Sequence, residues 1–197
     1  MSRRTVGILI FDDAEVLDVC GPYEVFSVAG RRQGLEPFDV RLLAKEPGAV
    51  MARNGFVMTP HGTLREALAL DILLVPGGLG TRRAQHDAEL IDLIRDRAAA
   101  AELVLSVCTG ALLLGRAGLL EGLDATTHHS ALEELREAAP GAHVRPAARY
   151  TDNGRVLTSA GIAAGIDLAL HVVERLLGRD VAEEASHYME FPRTAGA

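Results

Sequence analysis

The chain has 197 residues, 48% hydrophobic and 24% charged, the balance of one ordinary globular domain with a sizeable core. A net charge of −7, with no basic run longer than Arg31-Arg32 or Arg82-Arg83, excludes a nucleic-acid footprint. Two cysteines, Cys20 and Cys108, without zinc-ligand spacing exclude a disulfide framework and point to a reducing compartment, the cytoplasm.

The first apolar stretch, residues 6–11, is too short for a signal peptide and reads as a strand. Residues 13–29 have helical spacing, and Gly21-Pro22 predicts a kink or restart within them. Residues 38–44 form a second strand between Pro37 and Pro47, and 55–58 a short strand or hairpin piece. Residues 64–70 read as a short helix capped by Thr63. Residues 71–75, apolar after Asp71, read as a strand that ends in Pro76-Gly77-Gly78, and 88–100 as a helix. Residues 102–107 make a buried strand, and 110–117 a leucine-rich helix. A short strand is expected at 125–127 and a helix at 131–138, ended by Pro140-Gly141. Asp152-Asn153-Gly154 is the turn of a β-hairpin between 150–151 and 155–157. Helices at 162–177 and 181–189 close the chain. Strands alternating with helices imply βαβ units: an α/β doubly wound, mostly parallel sheet with a small antiparallel addition, one domain over residues 1–197. No segment reaches the length of a membrane span, so no membrane partner is expected.

Cys108 stands where the chain turns from strand to helix. A side chain there projects over the carboxyl edge of the sheet, where the amino end of the next helix favours a thiolate. This is the strand-turn-helix logic of a nucleophile elbow. Asp18 lies among Leu17, Val19 and Val25; it reads either as a buried acid, whose raised pKa keeps a proton available to a neighbouring thiolate, or as a helix-capping or solvated aspartate ahead of Gly21-Pro22. Gly77 and Gly78 bring backbone N–H groups close to a substrate, as an oxyanion hole does. The Thr109 hydroxyl reads as a substrate contact or a helix cap, and the small residues at Thr158–Gly161 allow a close approach to the same pocket. His128 and His129 face opposite ways on an extended chain, so at most one reaches the thiol. Cys20 reads as a small packed residue near Asp18, and His171 with Glu174 and His187 with Glu190 as solvated helix faces. No metal and no cofactor is expected.

Several motifs together resemble the ThiJ/PfpI superfamily. They are residues 6–11 with Leu17-Asp-Val-Cys-Gly-Pro-Tyr-Glu-Val-Phe26, Val75-Pro-Gly-Gly78, Ser106-Val-Cys-Thr-Gly-Ala-Leu-Leu-Leu114, Ala117-Gly-Leu-Leu120, Ala125-Thr-Thr-His128, and Thr158-Ser-Ala-Gly161 followed by Ala164-Gly-Ile-Asp167. The resemblance implies a flavodoxin-like sandwich, a homodimer, and a nucleophile at Cys108 met by the acid Asp18. Two branches are most similar: isocyanide hydratases, and the ligand-sensing amino-terminal domains of AraC-type regulators. The chain ends at Ala197, without room for a helix-turn-helix domain, so direct DNA contact is not expected. Thr109 stands where the protease-like branch has histidine, Asp18 where the chaperone and deglycase branch has glutamate, and His129 where tryptophan is usual. The resemblance therefore implies a cysteine-dependent hydro-lyase that hydrates a small electrophile, an isocyanide, to an N-formamide. Glyoxalase-like thiol chemistry and a ligand- or redox-sensing module without turnover are the alternatives.

Overall fold

The structure is a computed structural model and describes residues 3–67 and 69–193. Strand β1 (Arg4–Leu9) leads into helix α1 (Val16–Val28) and strand β2 (Phe38–Ala44). A small antiparallel pair, β3 (Val50–Met51) and β4 (Val57–Met58), precedes the two-residue β5 (Gly62–Thr63). Then come β6 (Ile72–Val75), the single-turn α2 (Thr81–Ala84), α3 (Ala88–Ala100), β7 (Leu103–Val107) and α4 (Gly110–Arg116). Strand β8 (Asp124–Ala125), helix α5 (Leu132–Ala138) and strand β9 (His143–Val144) follow. The hairpin β10 (Tyr150–Asp152) and β11 (Val156–Ser159), then α6 (Ala164–Leu177) and α7 (Arg179–Tyr188), complete the fold.

The central sheet has seven strands in the order β10-β11-β7-β6-β1-β2-β5, parallel except for the β10–β11 pair. Side chains alternate between its faces with period two. Val6, Ile8, Ile72, Leu74, Leu105 and Val107 pack under α1, α6 and α7. Leu9, Leu73, Val75 and Val104 pack under α3, α4 and α5. With both faces covered, β6 and β7 are buried along their whole length, which is why they read as apolar runs, broken only by the buried Ser106. This α/β sandwich is the architecture that the alternating pattern predicts.

Strand order reverses beside β1, and a crevice opens at such a point outside the carboxyl ends of the strands. Register brings the chemistry there. Val75 pairs with Ser106 and Val107 with Ser159, so Pro76-Gly77-Gly78, Cys108 and Ala160-Gly161 leave the sheet side by side.

Besides the two-residue strands β3, β5 and β9, which carry no readable period, the elements differ from expectation in four places. Helix α1 runs through Pro22 without interruption. Proline removes one backbone donor there, and tight packing compensates: a Cβ at Gly21 would lie 2.8 Å from Ile166 Cγ1. The expected helix at 64–70 is a turn at residues 64–66; Thr63 Oγ1 accepts from the Glu66 N–H at 3.2 Å, a cap with no helix to propagate, and Leu68 lies outside the described residues. The strand expected at 125–127 is only β8, which pairs with β9 outside the main sheet. Helix α2 follows Gly78 unannounced, because its few residues carry no periodic pattern. Among the described residues no helix is long and apolar enough to cross a membrane.

Two side chains also depart from their sequence reading. Cys20 is exposed on α1. His171 is tied into the sheet: its Nε2 lies 2.7 Å from Asp152 Oδ2, its ring stacks on Tyr150 at 4.9 Å, and Arg175 shares the same carboxylate.

Close packing makes Gly110 critical. A Cβ on Gly110, the first residue of α4, would overlap the Val75 carbonyl oxygen. Gly110→Ala is expected to lower stability by about 2–3 kcal/mol, read as a lower urea midpoint at unchanged slope.

Candidate active site

Cys108 takes a left-handed backbone conformation, φ 55°, between β7 and α4. Only a surrounding that over-determines the backbone holds a non-glycine residue there. The Cys108 N–H donates to Ser159 O at 3.1 Å, and its carbonyl accepts from Thr127 Oγ1 at 2.8 Å. A Cβ on Gly77 would lie 2.8 Å from Cys108 Cβ, so only a glycine lets the neighbouring loop pass. The cysteine is 6% exposed, at the floor of a cleft of about 310 Å³ that Glu15, Arg53, Leu79, Arg82, Thr109, His128 and Ile162 help to line.

Asp18 is fully buried on α1. Its Oδ2 accepts from the Gly77 N–H at 3.0 Å, and its Oδ1 has no hydrogen-bond partner among the described residues. Burial pushes its pKa up to about 7; the Gly77 N–H opposes the rise, the Glu15 carboxylate adds to it, and contact with the Cys108 thiol lowers it. The Cys108 thiol is itself pushed up to about 12, first by burial and then by the Asp18 charge, while the Thr109 N–H and hydroxyl work the other way. A free-standing thiolate, as the helix terminus alone led one to expect, is therefore not the resting form. Acid and thiol hold one proton between them over a wide pH range, either as carboxylate and thiol or as carboxylic acid and thiolate. Placing the proton on Asp18 removes the charge that opposes the thiolate.

The glycine N–H groups are not open donors. That of Gly77 serves Asp18, and that of Gly78 donates to Thr109 Oγ1 at 3.0 Å. The Thr109 hydroxyl in turn donates to Gly78 O at 3.1 Å and accepts from Thr81 Oγ1, also at 3.1 Å. Thr109 is thus a brace between the two loops, and its backbone N–H is the donor that faces the sulfur.

Gly161 keeps the cleft open: a Cβ there would lie 2.9 Å from Cys108 Sγ and overlap the His128 ring. His128 lines the cleft. Its Nδ1 accepts from the Ser130 N–H at 3.3 Å, which leaves the ring proton on Nε2, and burial lowers its pKa and keeps it neutral. His129 is exposed and stacks on His128 at 4.2 Å.

Glu15 and Arg53 escaped the sequence reading. Glu15 had a signal, since three residues before Asp18 is the same helix face. Arg53 had none: it reaches the cleft because the β3–β4 hairpin folds back, with the Arg53 N–H donating to Ala14 O at 3.0 Å.

Several known proteins are similar to this chain. An isonitrile hydratase of Pseudomonas putida is 37% identical over 186 residues, 94% of this chain and 78% of that one. The HTH-type transcriptional regulator GbdR of Pseudomonas aeruginosa is 28% identical over 190 residues, 96% of this chain, which spans about half (51%) of the regulator. The crystal structure of a ThiJ/PfpI family protein from Pseudomonas syringae superposes with a TM-score of 0.88 at 32% identity, over 99% of this chain and 78% of that one. Residues 4–175 match the DJ-1/PfpI family, which takes in every strand of the sheet and the cysteine elbow, and the chain belongs to that family.

Proposed function

We propose that the protein hydrates an isocyanide to the N-formamide, with Cys108 as nucleophile and Asp18 as proton donor. The observation that carries this reading is the buried Asp18 carboxyl, with a pKa of about 7, against a thiol on a strained elbow, in a chain similar to an isonitrile hydratase. An isocyanide carbon is electrophilic and has no leaving group. The pair proton sits on Asp18 as the thiolate attacks; a carbon–sulfur bond forms, and Asp18 delivers its proton to the same carbon, giving a thioimidate. The Thr109 N–H stabilises charge near the sulfur. The Asp18 carboxylate then takes a proton from a water as its oxygen adds to that carbon, and passes that proton to the nitrogen. Collapse breaks the carbon–sulfur bond, releases the formamide and returns the proton to the acid–thiol pair. Isocyanide plus water balances formamide. Neutral His128 and Gly161 shape the wall beside the sulfur, and Gly77 positions Asp18.

The test is formamide production from a simple aryl isocyanide, followed by infrared loss of the isocyanide band and by mass of the product. Adduct formation on Cys108 without release of formamide would instead favour a sensing role, the reading that the regulator relatives support.

We further propose that the working form is a cytoplasmic homodimer. Leu17, Met51, Phe56, Val57 and Leu79 are large apolar side chains left exposed. They surround one segment: Asp13 N–H donates to Met51 O, Arg53 N–H to Ala14 O, and Gly80 N–H to Asp13 O. A second copy of the chain covering this face buries them together with the rim of the cleft. Val57→Glu is expected to shift the protein from dimer to monomer in light scattering coupled to size exclusion; an unchanged mass rejects this face as the interface.

A further inference from the structure

Arg53 lines the Cys108 cleft, yet its guanidinium has no hydrogen bond or ion pair among the described residues. The other arginine of the cleft is committed: Arg82 holds Glu134 through two bonds, of 2.7 and 2.8 Å, and approaches Gly78 O at 3.3 Å. Glu15, whose backbone neighbour Ala14 anchors Arg53, lies beyond ion-pair distance of it, and its charge acts on Asp18 and His128. Arg53 itself is held in place by its backbone. Ala52 N–H donates to Phe56 O at 2.8 Å, and the turn between them uses the left-handed Asn54 and Gly55. Arg53 is half-buried as a residue, and a guanidinium whose donors have no partner among the described residues is matched to a planar carboxylate. The protein as a whole carries −7, so its general field repels anions, and only a local cation can recruit one.

We propose that Arg53 is the specificity-determining residue of the cleft and that the electrophiles taken by Cys108 carry a carboxylate. For the hydratase this names the substrate class as isocyano carboxylates, a statement that rests on the hydratase reading. The anion selectivity of the cleft does not rest on it.

Two experiments separate the claims. In the first, Cys108 is alkylated with iodoacetate and with iodoacetamide. In each case a sulfur–carbon bond forms, the carbon–iodine bond breaks, iodide leaves and the thiol proton passes to solvent. The ratio of the two rates, iodoacetate over iodoacetamide, is expected to fall about tenfold from wild type to Arg53→Gln, the loss of one charge-assisted contact. Arg53→Lys is expected to fall between them, and the ratio cancels any change in the thiol that both reagents share. Equal ratios in wild type and Arg53→Gln overturn the proposal. In the second, kcat/KM is compared for 4-isocyanobenzoate and its methyl ester. Wild type is expected to favour the acid about tenfold and Arg53→Gln to lose that preference through KM. If alkylation depends on Arg53 but neither isocyanide turns over, the hydratase reading fails and the anion-selective cleft stands. If both isocyanides turn over equally in wild type and Arg53→Gln, the hydratase reading stands and the carboxylate class is rejected.

Discussion

Cys108→Ala is expected to abolish formamide production, by on the order of 10⁴-fold or more, with the fold retained. No other thiol can substitute, because Cys20 is exposed on α1 outside the cleft lining. Cys108→Ser is expected to fail nearly as completely. Its hydroxyl is far harder to ionise than the thiol, which burial and the Asp18 charge already push up to about 12. Circular dichroism and the thermal midpoint separate lost chemistry from lost fold, since alanine at φ 55° bears a strain like that of the cysteine it replaces. Wild-type rates in Cys108→Ala reject the covalent mechanism.

Asp18→Asn is expected to lower kcat by about 10²–10⁴-fold, because the thioimidate loses its proton donor and the water its base. The pH profile carries the sharper signature. The acid–thiol pair loses its first proton near pH 7 and its second near 12. The one-proton form is the reactive one, so the wild-type rate rises through about pH 7; in Asp18→Asn that step is absent and the rate follows the thiol alone. Stability moves the opposite way. The folded pKa of Asp18, about 7, lies above its ordinary value of 3.8, so between these the native protein keeps a proton that the unfolded chain has lost. The native state is favoured by this group below pH 4, and that contribution is lost as pH rises through 7, a change on the order of 4 kcal/mol. Asparagine removes the penalty and still offers an oxygen to the Gly77 N–H. Asp18→Asn is thus expected to melt several degrees higher than wild type at pH 8 and close to it at pH 4. An inactive but stabilised variant is the mark of a site kept strained for its chemistry. A variant destabilised at pH 8 assigns Asp18 to structure instead.

The sandwich was legible because its strands are buried on both faces and its helices on one. Residues 72–75 and 103–107 are therefore apolar at every position but Ser106, while 88–100 shows Leu90, Ile91, Leu93 and Ile94 at helical spacing. The short elements were not legible. The turn at 64–66 and helix α2 are fixed by what packs on them, and a few residues carry no period. Pro22 reads as a breaker on propensity alone, yet the contact between Gly21 and Ile166 overrules it.

The same division runs through the site. A cysteine between an apolar run and a small-residue helix marks a strand-to-helix turn, and an aspartate among aliphatic side chains marks a candidate buried acid. Local pattern determined the turn and the fold, and marked Asp18 as a candidate; the structure decided that Asp18 is buried and not a solvated cap. The tertiary structure decided the rest: that the Gly77 and Gly78 N–H groups are already bonded, that His128 and not His129 lines the cleft, and that the Arg53 side chain has no hydrogen bond or ion pair there among the described residues. It also decided that acid and thiol share a proton, where the helix terminus alone favours a thiolate. The physical reason is range. Periodicity and turn chemistry are set by neighbours along the chain, whereas desolvation and hydrogen-bond competition are set by every group brought within a few ångströms by folding.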